Sequence, residues 1–134
     1  MSRAWTICAF FLSLASVSAQ RIMSPSDLAC AEGDGAVRST VLHSDSACTS
    51  FFLCIDDGVR PHLHRTHTEH VFVIDGSAEM TLGDSTRTIT AGDAVVIPPG
   101  TPHAVTVKGD GPLRVISVQA PYFDGTDRVW LDKP

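Results

Sequence analysis

Apolar and polar residues alternate in short runs along most of the chain after residue 35. The runs are rich in Val, Ile, Thr and Phe, which suit a half-buried pleated surface. This pattern predicts β-strands at residues 36–42, 47–55, 62–64, 69–74, 78–82, 86–90, 94–97, 103–107 and 113–119. No run has the period of a long helix.

Turn-forming residues separate the predicted strands. They occur as Asp57-Gly58, Asp75-Gly76, Gly83-Asp84, Gly92-Asp93, Pro98-Pro99-Gly100 and Gly109-Asp110-Gly111. Many short strands at close and regular spacing are typical of an antiparallel sandwich or barrel. The sequence therefore predicts one all-β domain.

Two of the predicted strands do not alternate. Residues 71–74 (VFVI) and 94–97 (AVVI) are apolar on both faces. Strands of this kind are covered twice, so we expect a second sheet or a partner subunit against their outer face.

The first nineteen residues differ from the rest. Arg3 is their only charge, residues 4–15 are mainly apolar, and the small residues Val17 and Ala19 precede Gln20. This order predicts a signal peptide cleaved after Ala19 and a secreted or periplasmic protein. The alternative is a membrane anchor, but twelve helical residues span about 18 Å, whereas the hydrocarbon core is roughly 30 Å thick.

The remaining chain divides into three predicted parts. Residues 20–45 form an N-terminal segment with the first strand, residues 46–125 form the barrel, and residues 126–134 form a C-terminal arm. In the first part, the stretch SPSDLAC is expected to begin a short helix capped by Ser26.

The charge argues against nucleic acid as a partner. The formal net charge is −5 at pH 7, and no cluster of Lys and Arg occurs. Nucleic-acid affinity depends on such clusters, so we expect no nucleic-acid binding.

Three cysteines follow the predicted signal peptide. Cys48 and Cys54 lie on one predicted strand, about 20 Å apart, and cannot pair with each other within it. If a disulfide forms, Cys30 is therefore one partner. The alternative is three small buried thiols without a bridge.

The stretch GVRPHLHRTHTEHVFVIDG holds four of the six histidines of the chain. His62 and His64 share one face of a strand because side chains alternate. Glu69 begins the next strand, and His103 follows a turn made rigid by Pro98, Pro99 and Pro102. Imidazoles and a carboxylate brought together in this way can bind a metal ion.

These two stretches resemble the two motifs of the cupin family. The first cupin motif is G, several residues, H-x-H, three or four residues, E, six residues and G. The second is G, five residues, P-x-G, two residues, H, three residues and N. The matching positions in this chain are Gly58, His62, His64, Glu69 and Gly76, then Gly92, Pro98, Gly100 and His103.

This chain departs from the cupin motifs at two points. Three residues rather than five separate Gly58 from His62, and Val107 stands where the second motif ends in Asn. Neither departure removes a ligand, although Val107 is expected to alter the floor of the barrel.

The resemblance implies a single-domain antiparallel double-stranded β-helix, the cupin jelly-roll barrel. It also implies one divalent metal ion, Mn, Fe, Ni, Co, Cu or Zn, bound by His62, His64, Glu69 and His103. Glu69 is also a candidate acid or base. The alternative is a metal-free cupin barrel with a polar pocket, but cupins that lost the metal usually lost a ligand as well.

The implied function is a metalloenzyme of dioxygenase, decarboxylase or isomerase type. Its substrate would be a small oxygenated molecule that chelates the metal. Two alternatives are a binding module for a metal, a small acid or a sugar, and a barrel in which the metal only ties strands together. The alternation of side chains along the strands turns no Lys or Arg of the two motifs inward except Arg60, with Arg87 or Arg114 as candidates on later strands. This shortage of positive charge favours a carboxylate, enol or phenolic substrate over a phosphate.

The other histidines and the tail carry weaker signals. His67 is expected in a solvated loop, with an acid/base role at the mouth as the alternative. His70 should face the second sheet or a subunit interface, and His43 the solvent. The tail after residue 120 resembles an arm that packs on the barrel, and small cupins are commonly homodimers, which we expect here.

Overall fold

The computed structural model describes residues 21–132, so the predicted signal peptide lies outside the described residues. A 3₁₀ helix, Pro25–Asp27, is followed by ten strands. The strands are β1 (Val37–Ser44), β2 (Thr49–Ile55), β3 (Gly58–His64), β4 (Thr68–Asp75), β5 (Ser77–Leu82), β6 (Ser85–Thr90), β7 (Ala94–Ile97), β8 (His103–Lys108), β9 (Leu113–Ala120) and β10 (Arg128–Trp130).

The strands form two five-stranded sheets. Sheet 1 has the order β1-β2-β9-β4-β7, and sheet 2 has the order β10-β3-β8-β5-β6. All the pairs within them are antiparallel. The predicted all-β jelly roll is therefore confirmed, and the nine predicted strands are all present. The third begins at Gly58 rather than at residue 62, and β10 was not predicted.

The inner faces of the two sheets enclose an apolar core. Ile55, Val73, Met80, Ile97 and Leu113 are among its buried members. They come from both sheets, so the alternation along each strand supplies the core, as in other sandwiches. Val107, which replaces the motif Asn, packs against this core from β8.

Gly58 explains why the first motif begins with glycine. A Cβ at this position would lie 2.3 Å from the carbonyl oxygen of Val105 in β8. Only glycine lets β3 approach β8 this closely. The approach fixes the strand that carries His62 and His64.

The N-terminal segment covers part of the outer face of sheet 1. Cys30 and Cys54 form a disulfide that ties this segment to β2. Arg114 donates a hydrogen bond to the carbonyl of Leu28 at 2.5 Å, and Phe52 on the same face is buried. The inference that Cys30 is a partner in any bridge is confirmed, and the alternative of three unpaired thiols is wrong. Cys48 is the one free cysteine among the described residues.

The cap prediction for the short helix was wrong. Ser24, not Ser26, is the N-cap residue, and its side chain makes no capping hydrogen bond. Pro25 occupies the first helical position, where its fixed φ is already suited to a helix. Proline therefore sets the start of this helix in place of a serine side chain.

Within residues 21–132, no second sheet covers the outer face of β4, contrary to one of the two expectations. Phe72 is 42% exposed, and His70, two residues before it on the same face, is also exposed. Val96, which is opposite His70 on β7, is 52% exposed. A partner subunit is the alternative that the pattern leaves for this face. No helix among residues 21–132 is long and apolar enough to span a membrane.

The tail returns to the barrel as a strand. β10 pairs with β3, with Arg128 opposite His64 and Trp130 opposite His62. Directly opposed residues of an antiparallel pair project from the same face. The C-terminal residues thus extend sheet 2 beside the strand that carries two of the predicted metal ligands.

Removing the disulfide tests how far it stabilises this fold. Replacing both Cys30 and Cys54 by Ala should lower the free energy of unfolding by about 3 kcal/mol, because the bridge closes a loop of 24 residues. The measurement is equilibrium urea unfolding of the parent and variant proteins.

Cys48→Ala is the matched control and should change the unfolding free energy by less than about 0.5 kcal/mol, since Cys48 is unpaired and only half-buried. If the double variant and the control unfold at the same urea concentration, the disulfide does not stabilise the fold.

Candidate metal centre

The structure brings the four predicted site residues together at one end of the barrel. His62 and His64 lie on β3, His103 begins β8 opposite His62, and Glu69 projects from β4 in the other sheet. All four are between 2% and 6% exposed. Their ligand atoms lie within 4.8 Å of one another.

A tight turn joins the two motifs. Gly100, with φ of 76°, donates its N–H to the carbonyl of His64 at 2.6 Å. The following Thr101 carbonyl accepts a hydrogen bond from Nδ1 of His103 at 3.0 Å. The proline-rich turn therefore places His103 with respect to His64, as its rigidity predicts.

Each of the three histidines uses Nδ1 for a hydrogen bond. Nδ1 of His62 donates to the carbonyl of Arg60 at 2.9 Å, and Nδ1 of His64 faces Oδ1 of Asp127 at 3.2 Å. His103 bonds through Nδ1 in the same way. Acceptors at Nδ1 place the proton there and leave the Nε2 lone pair for another partner.

Glu69 meets these Nε2 atoms with one of its oxygens. Oε2 lies 3.3 Å from Nε2 of His64 and 3.4 Å from Nε2 of His103. The other oxygen, Oε1, accepts from the hydroxyl of Ser117 at 2.5 Å and from the amide of Gln119 at 3.5 Å. The carboxylate is therefore fixed at Oε1 and presents Oε2 to the imidazoles.

The charges of the cluster suit a cation. Burial alone would raise the pKa of Glu69, but the nearby His103 and His64 rings and the hydrogen bond from Ser117 hold it well below its usual range. Burial, with the nearby charges of His103 and Arg128, lowers the pKa of His62 to about 4. The cluster thus combines an ionised carboxylate with a neutral imidazole at neutral pH.

The Nε2 atoms of His64 and His103 are buried without a hydrogen-bond partner. In the neutral Nδ1–H form they are acceptors that face an anionic oxygen, an arrangement that a cation between the groups would stabilise. Three imidazoles and one carboxylate are a donor set that divalent transition metals accept. The cluster therefore fits a metal-binding cupin, and the ligand role of each residue stays a prediction.

His67 is not in a solvated loop, so that expectation was wrong. The residue is 6% exposed and lies outside the lining of the cavity described below. Its Nδ1 bonds the carboxylate of Asp127, and its Nε2 donates to the carbonyl of Tyr122 at 2.7 Å. Burial opposes its charge, but these bonds raise its pKa above the ordinary value. It therefore anchors the C-terminal segment rather than lining the mouth.

Asp127 links this anchor to β3, the strand that carries His62 and His64. Its Oδ1 holds His64, and its Oδ2 bonds His67 together with the backbone N–H groups of Thr66 and His67. A carboxylate that holds the second ring nitrogen of a histidine ligand is a common support of metal sites. The residue was missed because it lies 63 residues from His64 in sequence.

A cavity of about 490 Å³ lies inside the barrel and reaches the four-residue cluster. Most of its lining is apolar. Its polar lining residues are Ser39, His62, Glu69, His103, Gln119 and Arg128. This volume lies within the range of small-molecule pockets.

The prediction that Arg60, Arg87 or Arg114 faces the interior of the barrel was wrong. Arg60 and Arg87 are exposed, and Arg114 binds the N-terminal segment on the outer face of sheet 1. None of the three lines the cavity, whereas Arg128 does. A short strand such as Arg128–Trp130 has too few residues for its pattern to show which side chains face inward.

The sequence prediction also missed Ser117 and Gln119, although the residue pattern of β9 contained a signal for them. They continue the inward face that Leu113 and Val115 begin on β9. Polar residues on the buried face of a strand indicate a polar site, and here they hold Glu69.

The remaining histidines lie on the surface. His70 is exposed on the outer face of β4 and faces neither the cavity nor sheet 2. His43 is exposed, as expected, and pairs with Asp45 at 3.0 Å; with Cys48 these two form a second group of ligand-type atoms. Both residues of the His43–Asp45 pair are about half exposed, as is common for groups without a metal.

Sequence comparison identifies relatives over part of the chain. It is 33% identical over 77 residues to mannose-1-phosphate guanylyltransferase 2 of Escherichia coli O157:H7, a match of 58% of this chain and 16% of that protein. It is 35% identical over 74 residues to germin-like protein 1-1 of rice, Oryza sativa subsp. japonica, a match of 52% of this chain and 34% of that protein. The chain thus spans only a fraction of the length of these relatives.

Solved structures share the fold at low identity. A protein with a double-stranded β-helix domain from Klebsiella pneumoniae subsp. pneumoniae superimposes with a TM-score of 0.72 at 23% identity, covering 85% of this chain and 99% of that one. KdgF from Halomonas sp. superimposes with a TM-score of 0.66 at 21% identity, covering 74% of this chain and 93% of that one.

The family profile agrees with the two motifs and the barrel. Residues 55–119 match the profile of the cupin domain, a segment that contains all four residues of the cluster. With the double-stranded β-helix of its structural neighbours, this match establishes that the chain belongs to the cupin superfamily.

Proposed function

We propose that this cupin binds one divalent transition metal ion through His62, His64, Glu69 and His103, and that it is a small-molecule metalloenzyme. The substrate would be an oxygenated compound that chelates the metal, in a reaction of dioxygenase, decarboxylase or isomerase type. One observation carries the proposal: buried Nε2 lone pairs face Oε2 of Glu69 at 3.3 and 3.4 Å while each ring proton is used at Nδ1.

The chain's own residues define what such a site can do. A bound metal would supply a Lewis acid and coordination positions for water or substrate oxygens. Ser117 and Gln119 keep Glu69 in one orientation, and the carboxylate is ionised at neutral pH. Glu69 is therefore held in the ionised form that a metal ion binds. The apolar walls of the cavity limit the water that reaches a bound substrate.

A non-catalytic binding module is the second candidate. The observation that favours it is the shortage of free acid/base groups in the cavity. Among the described residues that line it, the only titratable groups besides the cluster members are those of Arg128, since His67 binds Asp127 elsewhere. Such a module would hold a metal, a small acid or a sugar without converting it.

We also propose that the protein is exported and forms a homodimer. The Cys30–Cys54 disulfide supports export, since such bonds persist in oxidising compartments. The exposed side chains of Phe72 and Val96 support a subunit contact on the outer face of sheet 1.

Substitution of a ligand tests the metal site. His64→Ala should weaken metal affinity by more than about tenfold, because it removes an imidazole donor that Asp127 holds in place. The measurement is metal content per chain after loading and gel filtration, by elemental analysis.

His70→Gln is the matched control, since it changes an exposed histidine on the outer face of β4 that does not belong to the cluster. It should leave metal content unchanged. Equal metal loss in both variants would contradict the ligand assignment.

Turnover separates the enzyme from the binding module. The metal-loaded protein should consume oxygen or convert at least one member of a panel of diols, oxalate and flavonoids, and metal removal should abolish this activity. Oxygen electrode traces and product chromatography are the measurements. Ligands that raise the melting temperature without being converted would favour the binding module.

The subunit contact predicts a charge-sensitive dimer. The parent protein should sediment as a dimer, and Phe72→Glu should shift it towards the monomer, because the contact would bury the new carboxylate without a partner. Val41→Glu is the control, since Val41 is 57% exposed at a different place on sheet 1. A monomeric parent protein in sedimentation velocity would overturn the proposal.

A further inference from the structure

The inward face of β10 forms one wall of the cavity beside the cluster. Arg128 and Trp130 stand opposite His64 and His62 in the register of β10 and β3, and both line the cavity. The ring of Trp130 lies 5.1 Å from that of His62. The C-terminal strand therefore supplies side chains to the same space that the cluster faces.

Arg128 has no anionic partner among residues 21–132. No ion pair of the described residues includes it, and its Nε is buried without a hydrogen bond. Its guanidinium lies 5.3 Å from the ring of Phe123 and 5.4 Å from that of Trp130. These rings hold the guanidinium in place but provide no hydrogen-bond acceptor, so the donors of Arg128 remain available to a ligand.

Gln119 provides a second buried polar group without a hydrogen-bond partner in the lining of the same cavity. Its amide nitrogen contacts Glu69, but its Oε1 is buried and accepts no hydrogen bond. A free acceptor and a free cationic donor in one cavity are costly unless a ligand satisfies them. The other buried polar atoms without partners are Nε2 of His64 and His103, which belong to the cluster, and Nε of Arg38, whose guanidinium pairs with Asp56.

We propose that Arg128 is the residue that binds the carboxylate of a small organic acid while a neighbouring oxygen of the same molecule faces the four-residue cluster. This inference rests on the proposed function, because it assumes a metal held by that cluster. A hydroxyl or enol of the ligand would donate to Oε1 of Gln119. Arg128 thereby sets specificity for acids over neutral chelators.

A carboxylate suits the cavity better than a phosphate. A guanidinium matches the two oxygens of a carboxylate in bidentate fashion. A phosphate carries further charge and further acceptors, and no second Lys or Arg lines the described cavity. The rings of Phe51, Phe123 and Trp130 in the lining favour a ligand with a flat, unsaturated body.

Two isosteric probes test the role of Arg128. Salicylate carries a carboxylate beside a phenol oxygen, and salicylamide replaces the carboxylate with a neutral amide. Calorimetric titration of the metal-loaded parent protein should give tighter binding of salicylate. Arg128→Gln should weaken salicylate binding by at least about tenfold and change salicylamide binding by less than about twofold. Arg128→Lys should fall between, since lysine keeps the charge and loses the fork.

Arg60→Gln is the matched control. Arg60 lies over the same Trp130 ring at 4.4 Å, but it is exposed and does not line the cavity. The substitution Arg60→Gln also removes one positive charge from the pair of strands β3 and β10. It should leave the affinities for salicylate and salicylamide unchanged. Equal weakening by Arg60→Gln and Arg128→Gln would mean that the effect is general electrostatics and would overturn the proposal.

Metal content separates failure of this proposal from failure of the proposed function. If the parent protein retains no metal, the proposed function fails. If the parent and Arg128→Gln hold equal metal and bind salicylate equally, only the role of Arg128 is overturned. The same holds if the parent protein does not distinguish salicylate from salicylamide.

Discussion

The structure depends on the hydrogen bonds that fix the three imidazole rings. The Arg60 and Thr101 carbonyls and the Asp127 carboxylate each occupy a ring Nδ1, and Ser117 fixes Glu69 from the other side. The remaining lone pairs then point at a common centre, where they repel one another unless a cation lies between them. The surroundings of each ring therefore favour one tautomer, which would lower the cost of ordering these side chains around a metal ion.

The two-sheet barrel allows a short chain to bring these four residues together. Two sheets place β3 and β8 opposite β4, so His62 and His103, which are 41 residues apart in the sequence, meet Glu69 without a dedicated loop. The close approach at Gly58 and the bond from Gly100 to His64 fix the two motif strands. The tail then extends sheet 2 with β10. Its Asp127 contacts His64 on β3, and its Arg128 lines the cavity.

The sequence predicted the parts of the site that follow from local pattern. The alternation of apolar and polar residues predicted the strands. The two motifs predicted the cluster residues His62, His64, Glu69 and His103, because residues two positions apart on a strand, or directly after a rigid turn, can be recognised from short-range sequence spacing. Asp127 and Arg128 left none, since their contacts arise from pairing between segments more than sixty residues apart. His67 was misplaced because loop position suggested solvent, whereas Asp127 and Tyr122 bury it.

The central claim is that three imidazole nitrogens and one carboxylate oxygen hold a metal. X-ray absorption at the metal edge of the loaded protein tests it most directly. The account predicts only nitrogen and oxygen scatterers at about 2.0–2.2 Å, with the multiple-scattering pattern of histidine rings. A sulfur scatterer at about 2.3 Å, which would indicate Cys48 on the surface, or a protein that retains no metal at all, would contradict it.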